Sequence, residues 1–258
     1  MKDPKQRIIY AADGPWSEEY HNLLNLTGEI GAVKLGMSMV TQSFLTGTQI
    51  FKTVLRETDV NVMIDLKFDD IPDQVASAAK AIAECGQDRI LGFTVHASAS
   101  RKVLQLALKV TDDNFKGQTK PLLMAVTLLT SLDQSDLDLL GIQGTPREVV
   151  VRWANIAKEE GVPAIVCSPL ETSAVLEINP YFIVVNPGIR FEGSDLKNQK
   201  RVTTPRDAVA AGARYIVMGS DLRNGDMVAN ARRAAYEIGI GLERLKDDNY
   251  IKLTGKQS

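Results

Sequence analysis

With 258 residues and 44% hydrophobic content, the chain is long enough to bury a large core, either as one α/β barrel or as two smaller domains. Thirty lysines and arginines against 32 acidic residues leave a net charge of −2, which offers no basic surface of the kind nucleic-acid binders carry. Two cysteines, Cys85 and Cys167, match neither a metal-ligand spacing nor a disulfide framework and read as reduced packing residues. The charged start MKDPKQR lacks a signal-peptide core, and no run approaches the ~18 apolar residues of a membrane span. A cytoplasmic protein with no membrane or nucleic-acid partner is expected.

Short apolar runs recur along the chain, each followed by an amphipathic segment. The first predicted strand is Arg7–Asp13, followed by the helical SEEYHNLLNL with Ser17 as its expected N-cap. Ile30–Gly36 comes next, then a helical stretch running through Phe44 to Leu55. The third strand opens Val60–Val75 (VNVMIDLKFDDIPDQV), and a helix from Pro72 to Cys85 is expected to close on Gly86. Strands four and five are Ile90–Ser98 and Pro121–Thr127. Strand six, Pro163–Ser168, follows a helix ending at Gly161. Strands seven and eight are Phe182–Gly188 and Tyr215–Ser220. A last helix is predicted over Asp226–Ile240, with an uninformative polar tail over about 242–258. Near-continuous apolar strands alternating with helices imply a parallel sheet covered on both faces. Eight such units, with no G-x-G-x-x-G after the first strand, point to a single (β/α)8 TIM barrel occupying 1–258 as one domain.

In such barrels chemistry gathers where the strands end. Read in order, those ends carry Asp13, Lys34, Asp65 with Lys67, His96, Thr130-Ser131, Ser168, the run Asn186-Pro187-Gly188-Ile189-Arg190, and Gly219-Ser220. Strand alternation aims Asp65 and Lys67 to the same side, with Asp70 just beyond the strand. A lone D-x-K-x-x-D is equally well explained as a solvated salt bridge. Four charged residues of alternating sign on three adjacent strand ends are not, because a chance cluster has no reason to sit on that rim. His96, on an apolar strand, reads as a hydrogen-bonded structural residue. Ser131 and Ser168 lack a base partner, which argues against a nucleophilic serine. The polar PGIRFEGSDLKNQKR segment is expected to form a mobile lid.

These stretches are specific: VKLG around Lys34, DLKFDDIP from Asp65, TVHAS at His96, AVTLLTSLD through Thr130, NPGIR ending at Arg190 and NQKRVTTP from Asn198. Together they resemble the orotidine 5′-phosphate decarboxylase family over nearly the whole chain, in the family's order. The resemblance implies a homodimer, free of metal and cofactor, that decarboxylates orotidine 5′-monophosphate to UMP. It makes Lys67 the proton donor to C6 and Asp65 the carboxylate facing the substrate's own. Lys34 and Asp70 complete the charge array, Asp70 from across the dimer interface, and Asp13 and Lys34 hold the ribose. Thr130 lies by the pyrimidine, and Ile71 and Gln74 join the binding set beside Asp70. Arg190, Gln199, Gly219 and Ser220 serve the phosphate.

The sequence departs from the family pattern at Asp69, Gln74, Asn186 and above all Ser220, where an arginine is usual. Arg223, three residues on, either compensates or is a solvated surface charge. The alternatives are a related superfamily decarboxylase or a nucleotide-binding barrel with altered phosphate recognition. A Mg²⁺-dependent relative would place an acid on strand two, where this chain has Lys34. A Schiff-base aldolase would need a neutral lysine, which the carboxylates around Lys67 oppose.

Overall fold

The computed structural model describes residues 3–85, 88–194 and 203–254, the last seven as backbone only. Eight parallel strands close into a barrel in sequence order: β1 (Ile8–Ala12), β2 (Ala32–Gly36), β3 (Asn61–Phe68), β4 (Ile90–His96), β5 (Leu122–Val126), β6 (Ala164–Val166), β7 (Ile183–Asn186) and β8 (Tyr215–Met218). β8 closes on β1 through Ile9↔Val217, so no sheet edge is left open.

Side-chain alternation sorts each strand onto two cores. Ile9, Ala32, Met63, Met124, Ala164, Val185 and Tyr215 fill the barrel interior. Ile8, Tyr10, Val33, Leu35 and Val62 face outward onto the helices of one half, and Phe93, Val95, Leu123, Ala125 and Ile165 onto those of the other. The eight predicted strands are therefore all present, most of them shorter by one or two residues at an end than expected.

Four local expectations need correction or fall outside view. The first helix spans Trp16–Leu26 with Pro15, not Ser17, at its N-cap; the fixed φ of Pro15 (−62°) sets the entry, and the Trp16 N–H is taken by Gln42 Oε1 instead. The stretch after β2 is two helices, Met37–Thr46 and Ile50–Glu57, because Gly47 (φ +69°) turns left-handed and ends the first. The helix Pro72–Glu84 is as expected in extent, while Gly86 lies outside the described residues. The final helix is Met227–Thr254, well past the predicted end at Ile240. Gly241 permits this, since a Cβ there would lie 2.3 Å from the Arg206 carbonyl oxygen. Leu242 joins the core and Arg244 pairs with Asp207, so the supposed tail begins as packed helix. Among the described residues, no helix is long and apolar enough to cross a membrane.

Candidate active site

The interior face changes character at the same height on three neighbouring strands. Ile9 and Ala11 lead to Asp13, Ala32 to Lys34, and Met63 to Asp65 and Lys67. In register, Ala11 lies beside Lys34 and Gly36 beside Asp65, so the strand stagger brings the charged side chains into one layer. Gly36 makes room for it: a Cβ at that position would sit 3.1 Å from Lys34 Nζ.

Within that layer the charges form an unbroken alternating chain. Lys34 Nζ donates to Asp13 Oδ1 at 2.9 Å and lies 3.4 Å from Asp65 Oδ2, and Lys67 Nζ donates to the same Asp65 oxygen at 2.8 Å. Asp65 is the buried centre, with 8% of its side chain exposed, whereas the Lys67 side chain is 29% exposed and opens towards the cavity. Burial alone would push the Asp65 carboxyl up. The ammonium groups of Lys34 and Lys67, with hydrogen bonds from Lys67 and Thr94, outweigh it and hold the group below the usual carboxylate range. Two ammonium groups on one carboxylate also make a poor seat for a divalent cation.

Thr94 was not legible as a site residue. It is fully buried on β4, and its hydroxyl donates to Asp65 Oδ1 (3.0 Å) while accepting the Lys67 backbone N–H (2.8 Å). The reason lies in the backbone. Between Ile64 and Phe68, β3 spends four residue steps against two on β4, and Lys67 adopts φ +48°. A left-handed lysine costs on the order of 1 kcal/mol, and the bulge removes it from the regular ladder. Simple alternation therefore places Asp65 correctly but does not by itself explain how Lys67 is aimed. His96 is half-buried outside the cavity lining, and burial depresses its pKa, against the opposing pull of Asp69.

The cavity above this layer has a volume of about 460 Å³, enough for a nucleotide-sized ligand. Its opposite wall is built from the ends of β7 and β8: Arg190, Gly219, Ser220 and Arg223. Arg190 Nη1 donates to Ser220 Oγ and, at 3.3 Å, to Asp221 Oδ1. The other Asp221 oxygen accepts the Phe191 N–H at 2.7 Å. The Arg190 N–H also donates to Thr203 O (3.1 Å); of the polar segment expected to form a lid, residues 195–201 lie outside the described residues. Leu128, Leu129, Thr130 and Ser131 line the space between the two walls.

Asp13, Lys34, Asp65, Lys67, Thr130, Arg190, Gly219 and Ser220 thus converge on one cavity. Asp70, Ile71 and Gln74 do not line it; Asp70 Oδ1 accepts the Ile71 N–H at 2.6 Å, and Ile71 is exposed. Gln199 lies outside the described residues, as do Asn198, Lys200 and Arg201. Asn186 is structural: its amide donates to Cys167 O and accepts from Thr172 Oγ1, tying β7 to β6. Arg223 is no solvated surface charge, since its guanidinium bonds to Ala11 O, Glu19 and Tyr10 at the cavity wall.

The family model for "Orotidine 5′-phosphate decarboxylase / HUMPS family" matches residues 6–234. The protein named orotidine 5′-phosphate decarboxylase from Marinomonas sp. (strain MWYL1) is 37% identical over 239 residues, covering 90% of this chain and 97% of that one. Its namesake from Nitrosospira multiformis is 38% identical over 250 residues, covering 96% and 95%. Among solved structures, orotidine 5′-phosphate decarboxylase from Lactobacillus acidophilus superposes with a TM-score of 0.74 at 30% identity, over 89% of this chain and 97% of that one. Barrel closure, the charged layer and these similarities agree: the chain belongs to the orotidine 5′-phosphate decarboxylase / HUMPS family.

Proposed function

We propose that this chain decarboxylates orotidine 5′-monophosphate to UMP, with the charged layer as its catalytic machinery. The observation that carries the reading is the Asp13–Lys34–Asp65–Lys67 chain, which ends in an ammonium group presented to the cavity. Breaking the bond between C6 and the carboxylate carbon releases CO₂ and leaves the electron pair on C6. The Lys67 ammonium stabilises that pair as it forms and then transfers a proton to C6, giving UMP; solvent reprotonates the amine. Asp65, fixed by Thr94, faces the substrate carboxylate and keeps Lys67 Nζ in place.

Asp13 and Lys34 hold the ribose, Thr130 borders the pyrimidine, and Arg190, Gln199, Gly219 and Ser220 receive the phosphate. Binding energy from the phosphate offsets bringing a second carboxylate near Asp65. No cofactor or metal takes part in this scheme. The chain acts as one domain over 1–258, in the cytoplasm, as a homodimer in which Asp70, Ile71 and Gln74 complete the partner's site. Support for pairing comes from Met37, Phe44, Leu45 and Ile71, large apolar side chains exposed on the segments that follow β2 and β3, with Phe44 85% exposed.

Absorbance of orotidine 5′-monophosphate, followed with purified protein, tests the reaction; absence of turnover sinks the proposal. Mixing inactive Lys67→Ala and Asp70→Ala proteins tests the dimer. Recovered activity supports a site shared between subunits, whereas two variants that stay inactive after subunit exchange count against it.

A further inference from the structure

We infer that Arg223 is a second phosphate-gripping arginine, held at the cavity wall by the buried Glu19–Tyr10 pair. The inference rests on the nucleotide reading above and adds a residue to it. Among the described residues, two guanidinium groups line this end of the cavity, and they flank Gly219-Ser220 from the β7 side (Arg190) and the β1 side (Arg223). Each is backed by a nearly inaccessible acid outside the cavity lining: Asp221 behind Arg190 and Glu19 behind Arg223.

Glu19 has no capacity left for a ligand. Its Oε1 accepts the Gly14 N–H (2.8 Å) and Arg223 Nη1 (3.1 Å), and its Oε2 accepts the Tyr10 hydroxyl (2.5 Å) and the Asn22 amide (3.4 Å). Burial, then the bond to Glu19, pushes the Tyr10 hydroxyl well above its ordinary pKa, so it stays a neutral donor. The pair is an anchor whose orientation is set before any ligand arrives.

Arg223 is used asymmetrically. All its hydrogen bonds among the described residues leave from Nη1, to Ala11 O (2.9 Å), Glu19 Oε1 and Tyr10 OH. Its Nη2 carries none of them and lies 3.6 Å from where a Gly219 Cβ would stand. A planar guanidinium pinned through one nitrogen has its remaining donors preorganised for an oxyanion. Gly219, lacking a side chain, leaves the backbone beside it open to close approach. A purely structural staple between β1 and β8 has no need of cavity exposure, yet the Arg223 side chain is 31% exposed there.

Calorimetric titration with UMP and with uridine separates phosphate binding from binding of the rest of the nucleotide. Arg223→Ala and Arg223→Gln are expected to cut the UMP-over-uridine affinity ratio about 10- to 100-fold, with Arg223→Lys in between. A ratio within about threefold of wild type in any folded Ala or Gln variant overturns the inference, since a charge-assisted contact cannot be that weak. Should Arg223→Ala fail to fold, Arg223→Gln, which keeps a donor for Ala11 O, decides. Failure of the nucleotide reading looks different: wild type itself neither turns over orotidine 5′-monophosphate nor prefers UMP to uridine.

Discussion

The two walls of the cavity handle charge in opposite ways. On the β1–β3 wall, cations and anions neutralise one another: Asp13, Lys34, Asp65 and Lys67 sum to zero and each touches the next. On the β7–β8 wall, each arginine faces the cavity and its counter-ion stands behind it, in Asp221 and Glu19. The first arrangement fixes one ammonium against a carboxylate at defined geometry, which suits a charge that develops only during reaction. The second leaves positive charge facing the cavity, which suits the proposed phosphate dianion, present from the start. The walls should accordingly separate in kinetics, the first in kcat and the second in KM.

Lys67→Ala is the most severe way to test that separation. With Lys67 as the proposed proton donor, its removal should lower kcat by about 10⁴-fold or more, with KM little changed. A loss under about tenfold would mean that the ammonium is not at the reacting carbon. Arg190→Ala sits on the other wall and should raise KM roughly 10- to 100-fold while kcat moves less; a kcat-only effect would erase the contrast.

Thr94→Val probes how the first wall is held. It strands the Lys67 N–H and removes a bond to Asp65, so stability should fall by about 1–3 kcal/mol and kcat by about tenfold. Thr94→Ser, which keeps the hydroxyl, should recover most of the kcat. Urea midpoints and turnover on both variants check this, and equal kcat in Val and Ser would remove Thr94 from the account.

Acid should loosen the same wall. The folded-state pKa of Asp65 is depressed, so its contribution is present above the unfolded carboxylate pKa and is lost as pH falls through the folded value. His96 acts earlier. Its folded pKa is also lowered, so the unfolded chain takes up the proton first, and stability declines as pH drops below about 6.5. Denaturant midpoints from pH 8 to 3, compared with His96→Gln, should show the upper part of the decline vanish in the variant.

Gly36→Ala is the gentlest test. A methyl 3.1 Å from Lys34 Nζ obliges the ammonium to shift by a few tenths of an ångström, predicting a loss of activity of about two- to fivefold without loss of fold. Unchanged activity would show that Lys34 needs no such clearance.

Much of this was readable along the chain, for definite reasons. The strands are buried on both faces, so each appears as an apolar run, and the change from apolar to charged marks the cavity rim at Asp13, Lys34, Asp65 and Lys67. Thr94 escaped notice because a threonine in an apolar strand looks like any β-former. Its role exists only because the β3 bulge brings the Lys67 N–H to it. Glu19 was equally hidden, one of two adjacent acids in the polar run Ser17–Asn22 until Tyr10 and Arg223 close over it. The continuation of the last helix past Ile240 was missed because the polar residues after it carry no apolar pattern to speak of, whereas Gly241 packs closely against the Arg206 backbone and Leu242 against the core.

By itself, then, the order of residues determined the eight-fold strand–helix alternation, the parallel sheet and the height of the charged layer, because hydrophobic periodicity and burial are local properties of each strand. Only tertiary structure decided which oxygen each ammonium meets, how Lys67 is turned, and on which side of each arginine its counter-ion stands. Those depend on register, stagger and one bulge, and such features arise between strands distant in sequence.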